Sequence, residues 1–186
     1  TDSGVVSGFA GYIANSATAT GVATIRESGS HWKNSSTLSV GRRGSGALNI
    51  ESGGLVSNTL DGHIGHYLGS TGIAKVTGSR SQWNNSDDLW IGGNDSAAGG
   101  AGTLNLYDSG LVTITNITKL WDTGTLNLAG GNLTTGSFNN SDAGIFNFHD
   151  GTLTVNGAGE VFDPGTRDFT INGNSSDDTP HLVIAN

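Results

Sequence analysis

The chain repeats itself, and this repetition limits the possible folds more than any other feature of the sequence. Residues 21–25 (GVATI) return as residues 72–76 (GIAKV), and Trp32 returns as Trp83, in both cases 51 positions later. A long period built from short strand-like pieces is typical of a solenoid, in which one unit buries its apolar face only against its neighbours. The repetition therefore favours a stacked array, and it weighs against an enzyme.

The second copy of the repeat is longer than the first. Residues 46–50 (GALNI) return as residues 102–106 (GTLNL), at an offset of 56 positions. The five extra residues are placed most economically within residues 93–101. Residues 4–7 (GVVS) match residues 54–57 (GLVS), so an earlier copy is already under way where the sequence begins.

Short segments in which apolar and polar residues alternate occur throughout the chain, and Gly, Asn, Asp or Ser closes each of them. Residues two apart in a strand point to the same side, so the apolar members of these segments should face inward. Turn residues between such segments are the usual boundaries of short strands. We therefore predict one continuous core, formed by Ile25, Leu38, Val40, Leu48, Ile50, Leu104, Leu106, Leu126, Leu128, Phe146 and Phe148.

The spacing of the later segments predicts the length of one coil. Residues 102–106 recur 22 positions on, at 124–128, and more loosely 20 positions further, at 144–148. A period of about 20 residues with two or three short strands fits one coil of a parallel β-helix, and about nine coils at ~4.8 Å each would give a rod of roughly 40 Å. We predict an all-β chain in which residues 1–123 form a β-helix from repeats of 51 residues, each two to three coils long. Residues 124–186 should continue the same β-helix with a second repeat type.

Composition agrees with a turn-rich β structure. The 186 residues include 31 Gly and two Pro, no Cys and no Met, and the net charge is −8. An acidic chain is a poor candidate for binding nucleic acid, because phosphate neutralisation needs a basic face. No apolar run reaches the ~18 residues of a membrane-spanning helix. The absence of Cys fits an extracellular protein stabilised by repetition, and a chain that begins at Thr1 without Met is expected to be a processed or excised piece of a longer product.

Over residues 4–115 the repeated elements resemble the strand-loop-strand repeat of bacterial type V secretion passengers and PEP-CTERM-associated exoproteins. The stretches that carry the resemblance are GVATI at 21–25, SHWKNS at 30–35, LSVG at 38–41, GALNI at 46–50, SGGLVS at 52–57 and GHIG at 62–65. From Gly124 the stretch GTLNLAGGNLT resembles a second repeat type of secreted bacterial proteins. The resemblance implies a right-handed parallel β-helix, secretion and an extracellular or cell-surface role, and it implies no catalytic residues. The chain departs from the pattern at His63 and His66, where an aromatic residue such as Tyr is usual.

Four asparagines stand between inward apolar residues and should face outward. They are Asn49, Asn105, Asn127 and Asn147, and the last three lie about one coil apart. Their side-chain amides could bond to one another along the stack and form a ladder. The alternatives are a ligand-binding asparagine face or, with neighbouring Thr residues, a flat surface of the ice-binding kind. A regular Thr-x-Thr on every coil, which the ice-binding surface would need, is missing.

The four tryptophans fall into two pairs. Trp32 and Trp83 occupy equivalent positions of the repeat, which predicts core or corner packing. Trp90 and Trp121 break the repeat, and Trp90 takes the outward position that Ser39 has in the first copy. An exposed indole offers a flat face for a sugar or a partner chain, so Trp90 and Trp121 are candidate contact residues.

Acidic residues cluster around the insertion. Asp87, Asp88 and Asp95, with Asn94, supply the hard oxygen ligands that Ca²⁺ prefers. EF-hand spacing is absent, as is the Gly-Gly-x-Gly-x-Asp repeat of calcium β-rolls, so we expect a solvated acidic loop and neither a metal site nor a cofactor. Residues 177–178 are a similar acidic pair.

The two histidines that depart from the family pattern are weak metal candidates. His63 and His66 lie next to Tyr67, and the sequence suggests no third ligand near them. We therefore expect them to be packing or surface residues.

The function that these patterns predict is that of a non-catalytic extracellular or surface β-solenoid, such as a stalk, an adhesin-like module or a fibre subunit. A polysaccharide or cell-surface contact is a further expectation. The alternative is a carbohydrate-binding or carbohydrate-cleaving β-helix of the polysaccharide-lyase type, for which Arg80 with Asp87, Asp88 and Asp95 is the local set of residues that fits.

Neither end of the chain has an obvious cap. Residues 4–7 open in the middle of a repeat, and residues 181–185 (HLVIA) form an apolar strand-like run. Uncapped solenoid ends expose strand edges and core side chains. Each end is therefore expected to continue into further chain or to stack on another copy, end to end.

Overall fold

The computed structural model describes residues 4–159, 161–166, 171 and 177–185. This part of the chain is all β, without a helix. Its seventeen strands are β1 Val5–Gly8, β2 Gly11–Ile13, β3 Thr20–Arg26, β4 His31–Asn34, β5 Leu38–Val40, β6 Ser45–Glu51, β7 Leu55–Asn58, β8 Gly62–Ile64, β9 Thr71–Thr77, β10 Gln82–Asn85, β11 Leu89–Ile91, β12 Ala101–Tyr107, β13 Leu111–Leu120, β14 Gly124–Asn139, β15 Ile145–Val155, β16 Phe162–Asp163 and β17 His181–Ile184.

All pairings between these strands are parallel, and they form three ladders. The first ladder is β1–β4–β7–β10–β13–β14–β15–β17. The second is β2–β5–β8–β11–β13–β14–β16. The third is β3–β6–β9–β12–β14–β15. The chain visits the three ladders in order and then returns to the first, so one continuous parallel sheet curls around a common interior.

The strand register explains the repeat in the sequence. Trp32 pairs with Val56, and Val56 pairs with Trp83, so the 51-residue period covers two steps along the first ladder. The predicted spacing of about 20 residues occurs only in the later coils, where Leu126 pairs with Phe146. The earlier coils are longer than predicted, since Ala101 pairs with Thr71, 30 positions before it. The ladders continue without a break across Gly124, where the second repeat type begins.

The predicted core is confirmed. Its members in β5, β6, β12 and the first part of β14 are fully buried, and Phe148 is nearly so. Ile25 and Phe146 are partly buried and pack against the same cluster. Trp32 and Trp83 also pack into this cluster, as their equivalent positions predict. Alternation along each strand therefore identifies the inner side correctly.

Glycine at the start of the third-ladder strands has a steric cause. A Cβ on Gly72 would lie 2.2 Å from the carbonyl oxygen of Val40, and one on Gly102 would lie 2.2 Å from that of Ile64. The backbones of the second and third ladders approach so closely at this corner that no side chain fits between them. The repeated Gly of the GIAKV and GTLNL segments is therefore required by packing, whereas a Cβ on Gly21 of GVATI would meet nothing closer than the Ile13 side chain at 3.1 Å.

The five-residue insertion lies outside the ladders. Gly93 and Ala98 form an isolated antiparallel bridge, and Asn94 N–H donates to the Ala97 carbonyl at 3.0 Å. This small hairpin lies between β11 and β12, as the sequence predicts. The described part of the chain contains no helix of the length and apolarity that crossing a membrane would require.

Candidate functional site on the outer face of the second ladder

A row of outward-facing residues follows the second ladder across five neighbouring strands. The residues that pair directly along it are Tyr12, Ser39, His63, Trp90 and Lys119. Although this is the outer side, Ser39, His63 and Lys119 are buried. The segments that connect the second ladder to the third fold back over this face and cover it.

Two histidines and a tyrosine form a stack within this cover. The rings of His63 and His66 are 3.9 Å apart between centroids and nearly parallel, at 10°. The ring of His66 stacks in the same way on Tyr67, at 4.0 Å. Ser39 Oγ and His66 Nδ1 share a hydrogen bond of 3.0 Å. The stack therefore holds the segment after β8 against the outer face of β5 and β8, and the prediction that these histidines pack is confirmed.

Two arginines extend the stack toward solvent. The guanidinium of Arg42 lies 4.3 Å from the ring centroid of Tyr12 and 5.6 Å from that of Tyr67. The guanidinium of Arg43 lies 5.4 Å from the Tyr67 centroid. Arg42 Nη1 also donates to Asn15 Oδ1 at 2.7 Å. We call Tyr12, Arg42, Arg43 and Tyr67 the arginine–tyrosine patch. Within the described ranges, neither arginine forms an ion pair with a carboxylate.

The electrostatics of this stack keep the two histidines neutral. Burial lowers the pKa of His63 to about 3, and the neighbouring His66 and Arg42 add to the effect. Burial and Arg42 lower the pKa of His66 to about 4, against an opposing effect of Asp95. At neutral pH the positive charge of the region is therefore carried by the two arginines.

Three carboxylates meet at the turn from the first ladder to the second. Oxygen atoms of Asp61, Asp87 and Asp88 lie within 4.8 Å of one another, and we call these residues the acidic corner. The sequence grouped Asp87 and Asp88 with Asp95, and this grouping is wrong. Asp61 takes the third place because it lies one coil before Asp88, directly ahead of Gly62, which pairs with Leu89. Asp95 lies on the insertion and acts on His66.

Each member of the acidic corner also has a structural partner. The N–H of Asp88 donates to Asp61 Oδ1 at 3.4 Å, and the N–H of Ile117 donates to Asp88 Oδ1 at 3.0 Å. Asn116 Nδ2 donates to Asp87 Oδ1 at 2.6 Å. Burial raises the pKa of Asp61 and of Asp88, and the charge of Asp87 adds to both shifts. Three carboxylates at this spacing could hold a divalent cation, but their hydrogen bonds already explain their positions.

Trp90 lies beside the acidic corner. It points outward between the fully buried Leu89 and Ile91, as predicted, but it is only partly exposed. Its indole faces the carboxylate of Asp61 and favours the charged form of that group. Its Nε1 is buried without a hydrogen bond of normal geometry among the residues described. The expectation of a freely exposed stacking face is therefore too simple, because the neighbouring coils cover part of the ring.

Trp121 has a structural role in holding the insertion. Its Nε1 donates to the carbonyl of Asn94 at 3.0 Å, and the ammonium of Lys119 lies 4.8 Å from its ring centroid. Asn94 Oδ1 accepts from the N–H of Ser96 and of Ala97, at 2.9 and 3.1 Å. The side-chain amide of Asn94 therefore stabilises the turn of the insertion, and the hydrogen bond from Trp121 holds that turn against the end of β13.

The outer asparagine ladder is present. Asn127 Nδ2 donates to Asn105 Oδ1 at 2.7 Å, and Asn147 Nδ2 donates to Asn127 Oδ1 at 2.7 Å. Asn49 does not join the ladder, because Lys75 stands between it and Asn105 in the register. The amides of the ladder are thus engaged with one another, and they leave the face half-buried and polar.

A second asparagine ladder lies inside the rod, and sequence analysis missed it. Asn34, Asn58 and Asn85 pair directly along the first ladder and are almost fully buried. Asn58 Nδ2 donates to Asn85 Oδ1 at 2.6 Å, and Trp83 Nε1 donates to Asn58 Oδ1 at 2.8 Å. The inner ladder could have been predicted from the sequence, because each asparagine stands two positions after an inward apolar residue, as Asn85 does after Trp83.

The residues suggested for a polysaccharide-lyase site do not come together. Arg80 precedes β10, whereas Asp87 and Asp88 follow it, so they lie at opposite ends of this strand. Asp95 lies on the insertion, away from both. The other acidic pair that the sequence suggested lies at residues 177–178. Residues 174–176, which precede it, lie outside the described part of the chain.

Comparisons with protein-family models, with curated proteins and with solved structures found no match to this chain. The resemblance to secreted bacterial repeat proteins therefore stays a prediction from the sequence. What the structure itself defines is a class of architecture: an all-β chain whose parallel strands curl around one core. Its outer surface carries the arginine–tyrosine patch and the acidic corner.

Proposed function

We propose that the chain is a non-catalytic structural β-solenoid, a right-handed parallel β-helix that forms part of an extracellular or cell-surface rod. Its coils hold 20 to 30 residues, judged from the separation of paired residues along the ladders. The handedness follows from a general rule, since connections between parallel strands of one sheet are right-handed in ~98 % of known structures. Such a rod serves as a stalk, an adhesin-like module or a fibre subunit.

The observation that carries this proposal is the open first coil. Among the residues that the structure describes, β1, β2 and β3 each pair with one neighbour only, so in this part of the chain the other edge of every strand presents unpaired N–H and C=O groups. Trp32 is only partly buried, whereas its equivalent Trp83 is fully buried two steps further along. A hollow of about 490 Å³ opens between Val6, Ile25 and Trp32, and its rim also includes polar residues such as Arg26 and His31. The apolar interior of the rod is thus accessible at this end.

An end of this kind fits one more coil of the same type. Unpaired parallel edges pair readily with another strand, and apolar side chains in the hollow gain stability when a further layer covers them. The layer can come from the same chain or from another copy of it. When one end of a copy binds the opposite end of the next copy, the contact can repeat without limit. Copies stacked in this way along a straight axis would form a filament.

Two matched variants test end-to-end stacking. Val6→Asp places a charge in the hollow, because Val6 pairs with the inward Trp32, whereas Ser7→Asp places the same charge on the outer side of β1. We expect the chain to form elongated particles in negative-stain electron microscopy and a growing mass in light scattering. Val6→Asp should abolish both, and Ser7→Asp should leave them nearly unchanged.

Two results would contradict the proposal. One is a wild-type chain that stays a single-mass monomer at high concentration. The other is an equal effect of the two substitutions, which would show that association does not depend on the open core.

A further inference from the structure

We propose that the arginine–tyrosine patch is a lateral contact site for the acidic corner of a second copy of this chain. The inference deepens the proposed structural function, and it adds a side-to-side contact to the end-to-end contact argued above. It uses different residues and a different kind of force, so each can fail without the other.

The patch presents positive charge that the molecule does not neutralise. Arg42 and Arg43 have no carboxylate partner in the part of the chain that the structure describes, although the whole chain has a net charge of −8. Arg43 is exposed, Tyr12 and Tyr67 are partly exposed at 44 % and 37 %, and the neighbouring Leu68 is 88 % exposed. Tyrosine and arginine are the residue types enriched at protein interfaces.

The side chains of the patch are already held in position in the single chain. Tyr67 stacks on His66, and His66 stacks on the buried His63, so the outer layer rests on a fixed base. The hydrogen bond to Asn15 fixes Arg42 between the two tyrosines. A contact surface that is already ordered loses less conformational entropy on binding.

The acidic corner is the complementary surface. Its three carboxylates lie within 4.8 Å of one another without a basic residue bound to them in the described structure. The indole of Trp90 lies beside Asp61. A guanidinium that approaches this corner meets carboxylates and an aromatic ring together, and it can form charge-assisted hydrogen bonds to the first and a cation–π contact with the second.

In the described structure the two surfaces do not meet within one molecule, since neither arginine pairs with a carboxylate. Arg42 and Arg43 follow β5, whereas the acidic corner precedes β8 and β11, at the other end of the second-ladder strands. Between two copies they can meet, and at ~0.1 M salt the general repulsion of two acidic chains is screened beyond ~10 Å while direct contacts persist.

A second copy also fits better than a sugar. A sugar ring would need a free aromatic face, but His66 covers one side of the Tyr67 ring and both guanidiniums lie near that ring. Arg42 likewise lies over Tyr12. The patch would therefore bind a partner through its positive charges and not through its ring faces.

Charge reversal on each side of the contact tests the proposal. Arg43→Glu is chosen because Arg42 is tied to Asn15. Asp87→Lys is chosen because Asp61 and Asp88 accept backbone N–H groups. Both are made in the Val6→Asp background, which removes end stacking if the proposed function is right. Lys75→Glu, on the third ladder, and Asp122→Lys, an exposed carboxylate, are matched controls with the same changes in net charge.

We expect sedimentation velocity at ~0.1 M salt to show self-association of the Val6→Asp chain that is lost near 1 M salt, where screening acts over ~3 Å. Arg43→Glu alone and Asp87→Lys alone should each weaken it at least about tenfold. An equimolar mixture of the two should restore association, because the unaltered patch of the Asp87→Lys chain then meets the unaltered acidic corner of the Arg43→Glu chain. The introduced carboxylate and the introduced ammonium group also have opposite charges, so the reverse contact is no longer repulsive.

Several results would overturn the proposal: no association of the Val6→Asp chain, equal weakening by the controls, or no recovery in the mixture. Retention on immobilised polygalacturonate that Arg43→Glu abolishes, with self-association unchanged, would overturn it in favour of an acidic polysaccharide as the ligand. If Val6→Asp does not affect filaments but the mixture recovers, the lateral contact stands and the end-stacking proposal fails.

Discussion

Acid should destabilise this protein through His63, and the effect can be isolated by replacing that residue. His63 is 5 % exposed, and its ring is covered by His66 near Arg42. Its pKa falls from 6.5 to about 3 on folding, so the folded chain keeps the imidazole neutral at pH values where the unfolded chain protonates it. The stability contributed by neutral His63 is complete above pH 6.5 and is lost progressively as the pH falls toward 3.

The size of the effect follows from proton linkage. One group that binds a proton only in the unfolded state changes the free energy of unfolding by ~1.4 kcal/mol per pH unit. Between about pH 6.5 and about pH 4.5, His63 alone should therefore remove about 2–3 kcal/mol. His66 acts in the same direction, because its pKa is also lowered. Asp61 and Asp88 act in the opposite direction, because their raised pKa makes the folded chain the better proton acceptor.

The comparison of wild type with His63→Gln cancels the contributions of groups that do not contact His63, and it includes any change at His66, whose ring stacks on His63. We would measure the free energy of unfolding by urea titration at several pH values from about 7 to about 4.5. Circular dichroism and tryptophan fluorescence should be followed together, since coincident transitions are needed for a two-state analysis. The variant is expected to start less stable at neutral pH and to approach the wild type as the pH falls. His181→Gln, at an exposed position of β17, serves as the control and should follow the wild type.

Parallel curves for wild type and His63→Gln, with a constant difference in free energy across this pH range, would refute the reasoning. Such a result would mean that the imidazole accepts a proton in the folded state without cost, for example because the cover over the second ladder opens readily.

Three further predictions concern the core, the inner ladder and calcium. Leu104→Ala should cost ~2–5 kcal/mol in urea titrations because it leaves a cavity, and Asn105→Ala on the outer side of the same strand about 1 kcal/mol. Equal losses would mean that the strand register is wrong. Asn58→Ala should cost at least about 1–3 kcal/mol because Trp83 Nε1 loses its acceptor. A second change, Trp83→Phe, should then cost less than it does alone, and full additivity would contradict this explanation. Calcium or chelator should barely move the melting temperature, and a rise of about ten degrees with calcium would show that the acidic corner binds the ion.

The sequence predicted the third ladder and the core well, for a physical reason. Strands such as Ala101–Tyr107 alternate strictly, and their copies recur with the same residues at the same places. Alternation gives the inward side, and in the later coils recurrence gives the neighbour on the next coil. In the earlier coils the 51-residue recurrence skips one coil, so the pairing of residues 20–26 with residues 45–51 was not predicted. The outer ladder of Asn105, Asn127 and Asn147 follows directly from those two facts.

The functional surfaces were harder to predict because they depend on pairs of coils that do not look alike in sequence. GHI at 62–64 pairs with LWI at 89–91, and only this pairing brings Asp61 to Asp88. The partial burial of Trp90 depends on segments that fold over the second ladder, and alternation carries no information about such cover. The inner ladder was missed because a polar residue at an inward position is normally costly, and Asn58 avoids that cost only through partners from the adjacent coil.

The connection from the second ladder to the third varies in length from coil to coil. It comprises residues 14–19, 41–44, 65–70 and 92–100, yet the strands on both sides keep their register. Differences in length are thus absorbed in one column of loops, without a shift of any hydrogen-bonded pair. A foreign peptide grafted at the tip of the 93–98 hairpin would be displayed on one side of the rod. Its position along the rod axis would be fixed by the coil that carries it.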